Sequence, residues 1–219
     1  CVLMTLAGTK GLLWHARFGT GTRLRWENRH CCRDFADCTI GLWGYGAAAR
    51  RTAAWLKTLG AGRIRVCDAF LTGEQAHADG VEKTDLSTVF AESDIILLLQ
   101  SLTEETRGRI GAAELRLIPD GAVLINAGRA GLVKRDPLLA ELAAERFTGI
   151  FDVFHREPLP PDDPMLGLPN VILTPHCAGR EGRARYVALM LEDYDRFRRG
   201  EPLQYEIPQA YAVRMTVHR

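Results

Sequence analysis

Short, largely apolar runs separated by helix-length segments constrain this chain more than any other feature. Thr39–Trp43, Arg63–Cys67, Asp94–Leu99, Ala122–Asn126, Gly149–Phe154 and Val171–Thr174 each read as a strand of four to six residues. Strict alternation of apolar and polar residues, the mark of a strand with one wet face, is not the rule among them. Between them lie stretches of helical period. Ala47–Leu59 carries Ala48, Trp55, Leu56 and Leu59 at helical spacing and is stopped by Gly60. A short helix is expected around Asp85–Ala91, capped by Asp85, and another at Ala113–Leu117, followed by a turn at Pro119-Asp120-Gly121. Pro137–Arg146 fits a helix with proline in its first turn, and Arg180–Arg199 a long final helix stopped by Gly200 and Pro202. Apolar strands alternating with helices predict an α/β fold whose doubly wound parallel sheet is covered on both faces. A sandwich or a barrel is disfavoured.

Composition narrows the functional classes. Of 219 residues, 28 are basic and 27 acidic, a formal charge of +1, so long-range attraction to nucleic acid or to an acidic membrane is not expected. Apolar runs such as Ile95–Leu99 are far too short to cross a bilayer. The six cysteines (Cys1, Cys31, Cys32, Cys38, Cys67 and Cys177) form no CxxC pair. Reduced thiols in a cytoplasmic protein are expected, with no metal site. The opening Cys1–Ala7 is apolar with no basic residue before it, which reads as the inside of a helix rather than a leader, so the chain is expected to be a fragment. Arg17, Arg23, Arg25, Arg29 and Arg33 form a local basic stretch, expected to be a solvated connector.

A nucleotide loop is written into the first strand–helix junction. Gly44-Tyr45-Gly46-Ala47-Ala48-Ala49 fits GxGxxG/A with alanine in the last place. The pattern alone is weak, but here a strand precedes it, a helix follows, and Asp68 ends the next strand 19 residues beyond Ala49. Gly44 would permit the tight turn, Gly46 would leave room for a pyrophosphate, and Ala49 would let helix and strand pack closely. The free amides at the helix start would face the phosphates. Asp68 would accept from the adenosine ribose and repel the extra phosphate of NADP, which favours NAD as cofactor.

Four further blocks carry a resemblance. They are Leu102-Thr103-Glu104-Glu105-Thr106-Arg107-Gly108, Gly121–Arg129, Asp152–Pro160 and Pro169–Gly179. In this order and spacing they resemble the signatures of the D-isomer-specific 2-hydroxyacid dehydrogenases, over roughly residues 36 to 180. The resemblance implies a Rossmann-type cofactor domain inserted into a flavodoxin-like substrate domain. It implies that Arg129 pins the substrate carboxylate, that His176 is the acid/base, that Glu157 hydrogen-bonds it, and that Asp152 holds the nicotinamide carboxamide. With these it places Gly44, Tyr45, Gly46, Ala47, Ala48, Asp68, Leu102, Thr106, Ala127, Gly128, Arg129, Asp152, His176 and Gly179 against the cofactor. The residue types suit that chemistry. Imidazole titrates near working pH, a carboxylate orients it, and a guanidinium fork matches a carboxylate at two points.

The chain also departs from the family pattern. Ala130-Gly131 replaces Gly-Gly after Arg129, Leu99-Gln100-Ser101 stands where His-x-Pro is usual, and Trp43 is bulkier than the usual aliphatic residue. Residues 1–36 are expected to be a helix and connector from a substrate domain largely absent here, 37–179 the cofactor domain, and 180–219 a helix and tail returning to that substrate domain. A hydride transfer between NAD(H) and a small D-2-hydroxy or 2-oxo acid is the expected activity, in a homodimer. Two other readings stay open: a corepressor-like or non-catalytic dinucleotide-binding fragment, and a formate- or phosphite-type dehydrogenase. His15, His30, His77 and His155 match no role in the family, and Cys177 is expected to be a bystander.

Overall fold

The structure, a computed structural model, describes residues 1–10, 12, 33–178, 183–207 and 209. Its elements run α1 (Val2–Thr9), β1 (Thr39–Trp43), α2 (Ala47–Thr58), β2 (Arg63–Cys67), α3 (Gly73–Asp79) and β3 (Glu82–Lys83) in the first half. Then come α4 (Leu86–Ala91), β4 (Ile95–Leu98), α5 (Ala112–Leu117), β5 (Val123–Asn126), α6 (Arg135–Ala143), β6 (Thr148–Phe151), β7 (Val171–Leu173) and α7 (Arg183–Arg198). Single 3₁₀ turns at Ala130–Leu132 and Pro164–Gly167 interrupt the connections.

All seven strands are parallel, in the order β3-β2-β1-β4-β5-β6-β7. The centre of the sheet is its driest part, because every residue of β4 and β5 is buried. One face is sealed by α1 and α2, through Ala49, Ala53 and Leu56 of α2, with Val66 of β2 and Leu97 and Ile125 of the central strands. The other is sealed by α4, α5 and α6, through Phe90, Leu115 and Leu142. Each fully buried valine, leucine, isoleucine or phenylalanine among these contributes roughly 1.5–3 kcal/mol, which is why the parallel arrangement holds without one wet face. Trp43, bulkier than usual at this point, is accommodated on the second face at 6% exposure.

The chain passes from β1 outward to β3 and then returns to β4 on the other side of β1. The crevice above the carboxyl ends of β1 and β4 is therefore the point where the winding reverses, the place where open α/β sheets bind ligands. The basic stretch is described only at Arg33, which pairs with Asp94 just ahead of β4 and whose carbonyl accepts from Lys10 at 2.9 Å. Cys31, Cys32, His15, His30 and the other arginines of that stretch lie outside the described residues, as does the expected start of the last helix at Arg180. The four described cysteines are free thiols, only Cys38 being buried. Among the described residues no helix is long and apolar enough to cross a membrane, and no cluster of potential metal ligands occurs.

Candidate active site

The glycine loop occupies the reversal point. Gly44 follows β1 at φ +93°, and a Cβ there would sit 2.6 Å from the backbone nitrogen of Gln100, which follows β4. Both facts demand glycine: the left-handed backbone and the close approach of the two strand ends. Gly46 is different. Nothing lies within 4 Å of the position its Cβ would take, so the second glycine borders open space. Gly46 is also the N-cap of α2 and offers no side chain to it, so the amides at this helix start, from Ala47 and Ala48 onward, have no side-chain partner. Ala49 is 1% exposed against the sheet. An uncapped helix start beside open ground, reached by a glycine turn, fits a pyrophosphate.

Asp68 reaches back into this loop. Its Oδ2 accepts from the Tyr45 amide at 2.8 Å, while Oδ1 accepts from Phe70 at 2.7 Å and Leu71 at 3.1 Å. The carboxylate thus ties the end of β2 to the glycine loop, a duty that its position along the chain does not signal. The ring of Tyr45 is turned into the protein at 4% exposure, with the Arg50 guanidinium 4.6 Å from its centroid. Burial, and next the neighbouring Asp79 carboxylate, push its phenol up to about 12. Tyr45 can therefore meet a ligand only through its backbone.

Two loops carry the next candidates. Thr106 donates to the Ser101 carbonyl at 2.7 Å and accepts from the Thr103 amide at 2.8 Å, so its hydroxyl shapes the turn that holds Leu102. After β5, buried Asn126 organises the turn through Ala127, Gly128 and Arg129: its amide group donates to the Arg129 carbonyl and accepts from the Gly128 N–H, both at 3.1 Å. Arg129 itself donates to the Gly128 carbonyl at 2.8 Å, yet its Nε is buried with no partner. A buried donor without an acceptor is costly and marks a place where a ligand acceptor fits. Ala130 opens a 3₁₀ turn without a positive φ, so the alanine in place of glycine is tolerated.

His176 and Glu157 meet from different loops. The imidazole Nδ1 stands 2.8 Å from Glu157 Oε2, and Glu157 Oε1 accepts from the Phe154 amide at 3.0 Å. Burial works against the ionised glutamate, but the His176 ring, the Phe154 amide and the charges of His176 and Arg129 outweigh it and lower its pKa. A carboxylate only accepts here, so Nδ1 carries a proton and Nε2 is left for chemistry. Both residues line a cleft of about 540 Å³ whose walls include Phe154, Leu159, Leu166 and Leu173.

His176 is held in an uncommon backbone state, φ +49°. The anchor is Asp152, 1% exposed at the end of β6. Its Oδ1 accepts from the Thr174 hydroxyl at 2.6 Å and the Cys177 amide at 3.0 Å, and its Oδ2 from the Ala178 amide at 3.1 Å. Burial alone would raise the Asp152 pKa; these three donors, with the Cys177 thiol, lower it instead. Asn126, Thr174 and Gln100 are the residues that sequence reasoning left without a role. Nothing in their spacing signals that they fix the three loops. Gly179 lies outside the described residues. His155 is bonded through Nε2 to the Val133 carbonyl at 2.9 Å, and His77 is exposed on α3, ordinary places for both.

Comparison with known proteins identifies the family and the fold. The family described as D-isomer specific 2-hydroxyacid dehydrogenase, NAD binding domain, matches residues 2–178. A glyoxylate reductase from Korarchaeum cryptofilum is 37% identical over 166 residues, which cover 74% of this chain and 50% of that protein. A phosphoglycerate oxidoreductase from Rhizobium etli superposes with a TM-score of 0.80 at 28% identity, over 91% of this chain and 62% of that one. A probable 2-hydroxyacid dehydrogenase from Rhizobium etli, solved in complex with NADP, HEPES and L(+)-tartaric acid, superposes at 0.77 with 28% identity, over 95% of this chain and 66% of that one. The chain spans about half the length of curated relatives such as the reductase.

Proposed function

Because the chain belongs to the D-isomer-specific 2-hydroxyacid dehydrogenases, as their NAD-binding domain, we propose that the complete protein interconverts a small 2-oxo acid and its D-2-hydroxy acid. The observation that carries this reading is the 2.8 Å contact between His176 and Glu157 at the edge of an apolar-walled cleft. When bound, NAD(H) supplies or accepts the hydride, chemistry that belongs to the cofactor. Everything else falls to the chain. The amides from Gly46 to Ala48 would hold the pyrophosphate, and Asp68 the ribose. Leu102, Thr106, Ala127, Gly128 and Gly179 belong to the loops expected around the cofactor. A carboxylate at the end of β2 repels an added phosphate, which supports NAD over NADP.

Arg129 is the cation for the substrate carboxylate, its buried Nε still lacking an acceptor. His176 holds a proton at Nε2 for the oxygen that becomes the hydroxyl, while Glu157 receives Nδ1–H and stabilises the charged ring. Asp152 keeps the histidine loop in place, and the lone pair left on its Oδ2 suits the carboxamide donor expected there. Phe154, Leu159, Leu166 and Leu173 give the cleft an apolar wall against which the body of a small substrate would lie. The protein is read as a cytoplasmic homodimer. The four described cysteines, all free thiols, support the compartment. Leu3 on α1, with Trp55 on the touching helix α2 and Leu59 just past its end, all exposed, support a partner copy.

The test is turnover of glyoxylate with NADH by the complete protein. His176→Asn is expected to lower kcat roughly 10²–10⁴-fold and to leave NADH affinity, read by fluorescence titration, unchanged. An undiminished kcat removes His176 from the mechanism.

A further inference from the structure

A second cavity lies beside the cleft. It measures about 220 Å³ and is walled by Val133, Leu138, Phe151, Val153 and Met165, all buried. Phe154 and Leu159 border both spaces and form the partition between them. None of the five wall residues has a part in the chemistry proposed above. An apolar cavity of about 150 Å³ already accepts a benzene ring, so this one has room for a ring or short alkyl body with a head group at its rim.

The rim decides what that head group is. Asp163 is already paired: its Oδ2 accepts from the Arg135 guanidinium at 2.8 Å and its Oδ1 from the Met165 amide at 3.0 Å. Asn126 is committed to the Arg129 turn. His155 Nε2 faces the Val133 carbonyl, which can only accept, so that nitrogen donates there and has no further capacity. The cation that remains is Arg156, an exposed lining residue with no ion-pair partner among the described residues. Two guanidinium groups face one carboxylate around this cavity, leaving one positive charge in excess.

We propose that the cavity is a binding site for a small monocarboxylate with an apolar body, separate from the 2-oxo acid site. The body lies on the Val133, Leu138 and Met165 wall, and the carboxylate pairs with Arg156. A second negative charge would find no further unpaired cation in the lining, and a neutral head group would forgo the charge-assisted bonds that the guanidinium offers. The site stands on its own lining and does not depend on the dehydrogenase reading.

Benzoate is the probe, titrated into the intact protein while methyl NMR signals are followed. Saturable movement of the Val133, Leu138 and Met165 methyls is expected. Arg156→Ala and Arg156→Glu are expected to weaken it about two- to fivefold, the worth of an exposed ion pair. Benzamide, which needs no variant, is expected to bind weaker by a similar factor. Movement confined to Leu166 and Leu173 would put benzoate in the neighbouring cleft and overturn the proposal. So would equal affinity for benzamide, or no saturable movement at millimolar benzoate.

Discussion

Asp152→Ala asks whether one buried carboxylate holds the loop that carries His176. In the native protein the carboxylate receives Thr174 Oγ1, Cys177 N and Ala178 N at 2.6, 3.0 and 3.1 Å. Bonds to an ionised acceptor are worth about 1.5–3 kcal/mol each when the rest of the site stays dry. It does not stay dry here, because Pro175–Ala178 are exposed and their amides regain water once the loop lifts. Release of the left-handed histidine returns roughly 1–2 kcal/mol more. The expected net cost is therefore about 1–3 kcal/mol. That lowers Tm by roughly 2–12 °C in a protein of this size. The loss concentrates in the loop. Hydrogen exchange at the Cys177 and Ala178 amides should accelerate at least about tenfold, the equivalent of 1.4 kcal/mol. Asp152→Asn keeps one acceptor oxygen and should fall between. A lowered Tm with unchanged exchange at those two amides would refute the reasoning: the carboxylate would then support the fold but not the loop.

Other outcomes follow from the same geometry. Gly44→Ala should cost about 1–3 kcal/mol in a denaturant melt, because the left-handed backbone and the Gln100 contact both penalise a Cβ; Gly46→Ala should leave the melt nearly unchanged yet weaken NADH in a fluorescence titration. Asp152 also gives a pH signature. Its folded pKa is lowered, so its contribution is present above the ordinary carboxylate pKa of about 4 and is lost as pH falls through the lower folded value. The difference in urea midpoint between wild type and Asp152→Asn should therefore shrink below about pH 4. Leu97→Ala, at 0% exposure in the central strand, should cost about 2–5 kcal/mol by urea denaturation. In the complete protein Glu157→Gln should lower kcat while leaving NADH affinity in a fluorescence titration unchanged, since the imidazole loses the carboxylate that fixes its orientation at 2.8 Å.

Much of the fold is legible because parallel central strands must be apolar on both faces. β1 and β2 run where the apolar runs do, and Asp85 caps α4 through the Thr88 amide at 2.8 Å. The elements left unread are those whose signal is polar. α3 is announced only by the reciprocal Thr72 and Gln75 capping bonds, and β3 is two exposed edge residues with no apolar pattern. α6 spans Arg135–Ala143 rather than Pro137–Arg146. Pro137 falls in its first turn as expected, and Glu145, at φ +55°, lies just beyond its end.

The sequence by itself determined the class of fold, the glycine turn and the residue types Arg129, Glu157 and His176, because periodicity and motif spacing are local. Tertiary structure decided how those types become a site. Asn126 sets the arginine turn, Asp152 and Thr174 hold the histidine loop, and Gln100 closes on Gly44. Each is a contact between segments far apart in the chain. Spacing along a strand or helix cannot encode such contacts, because only the register of the sheet brings the strand ends together.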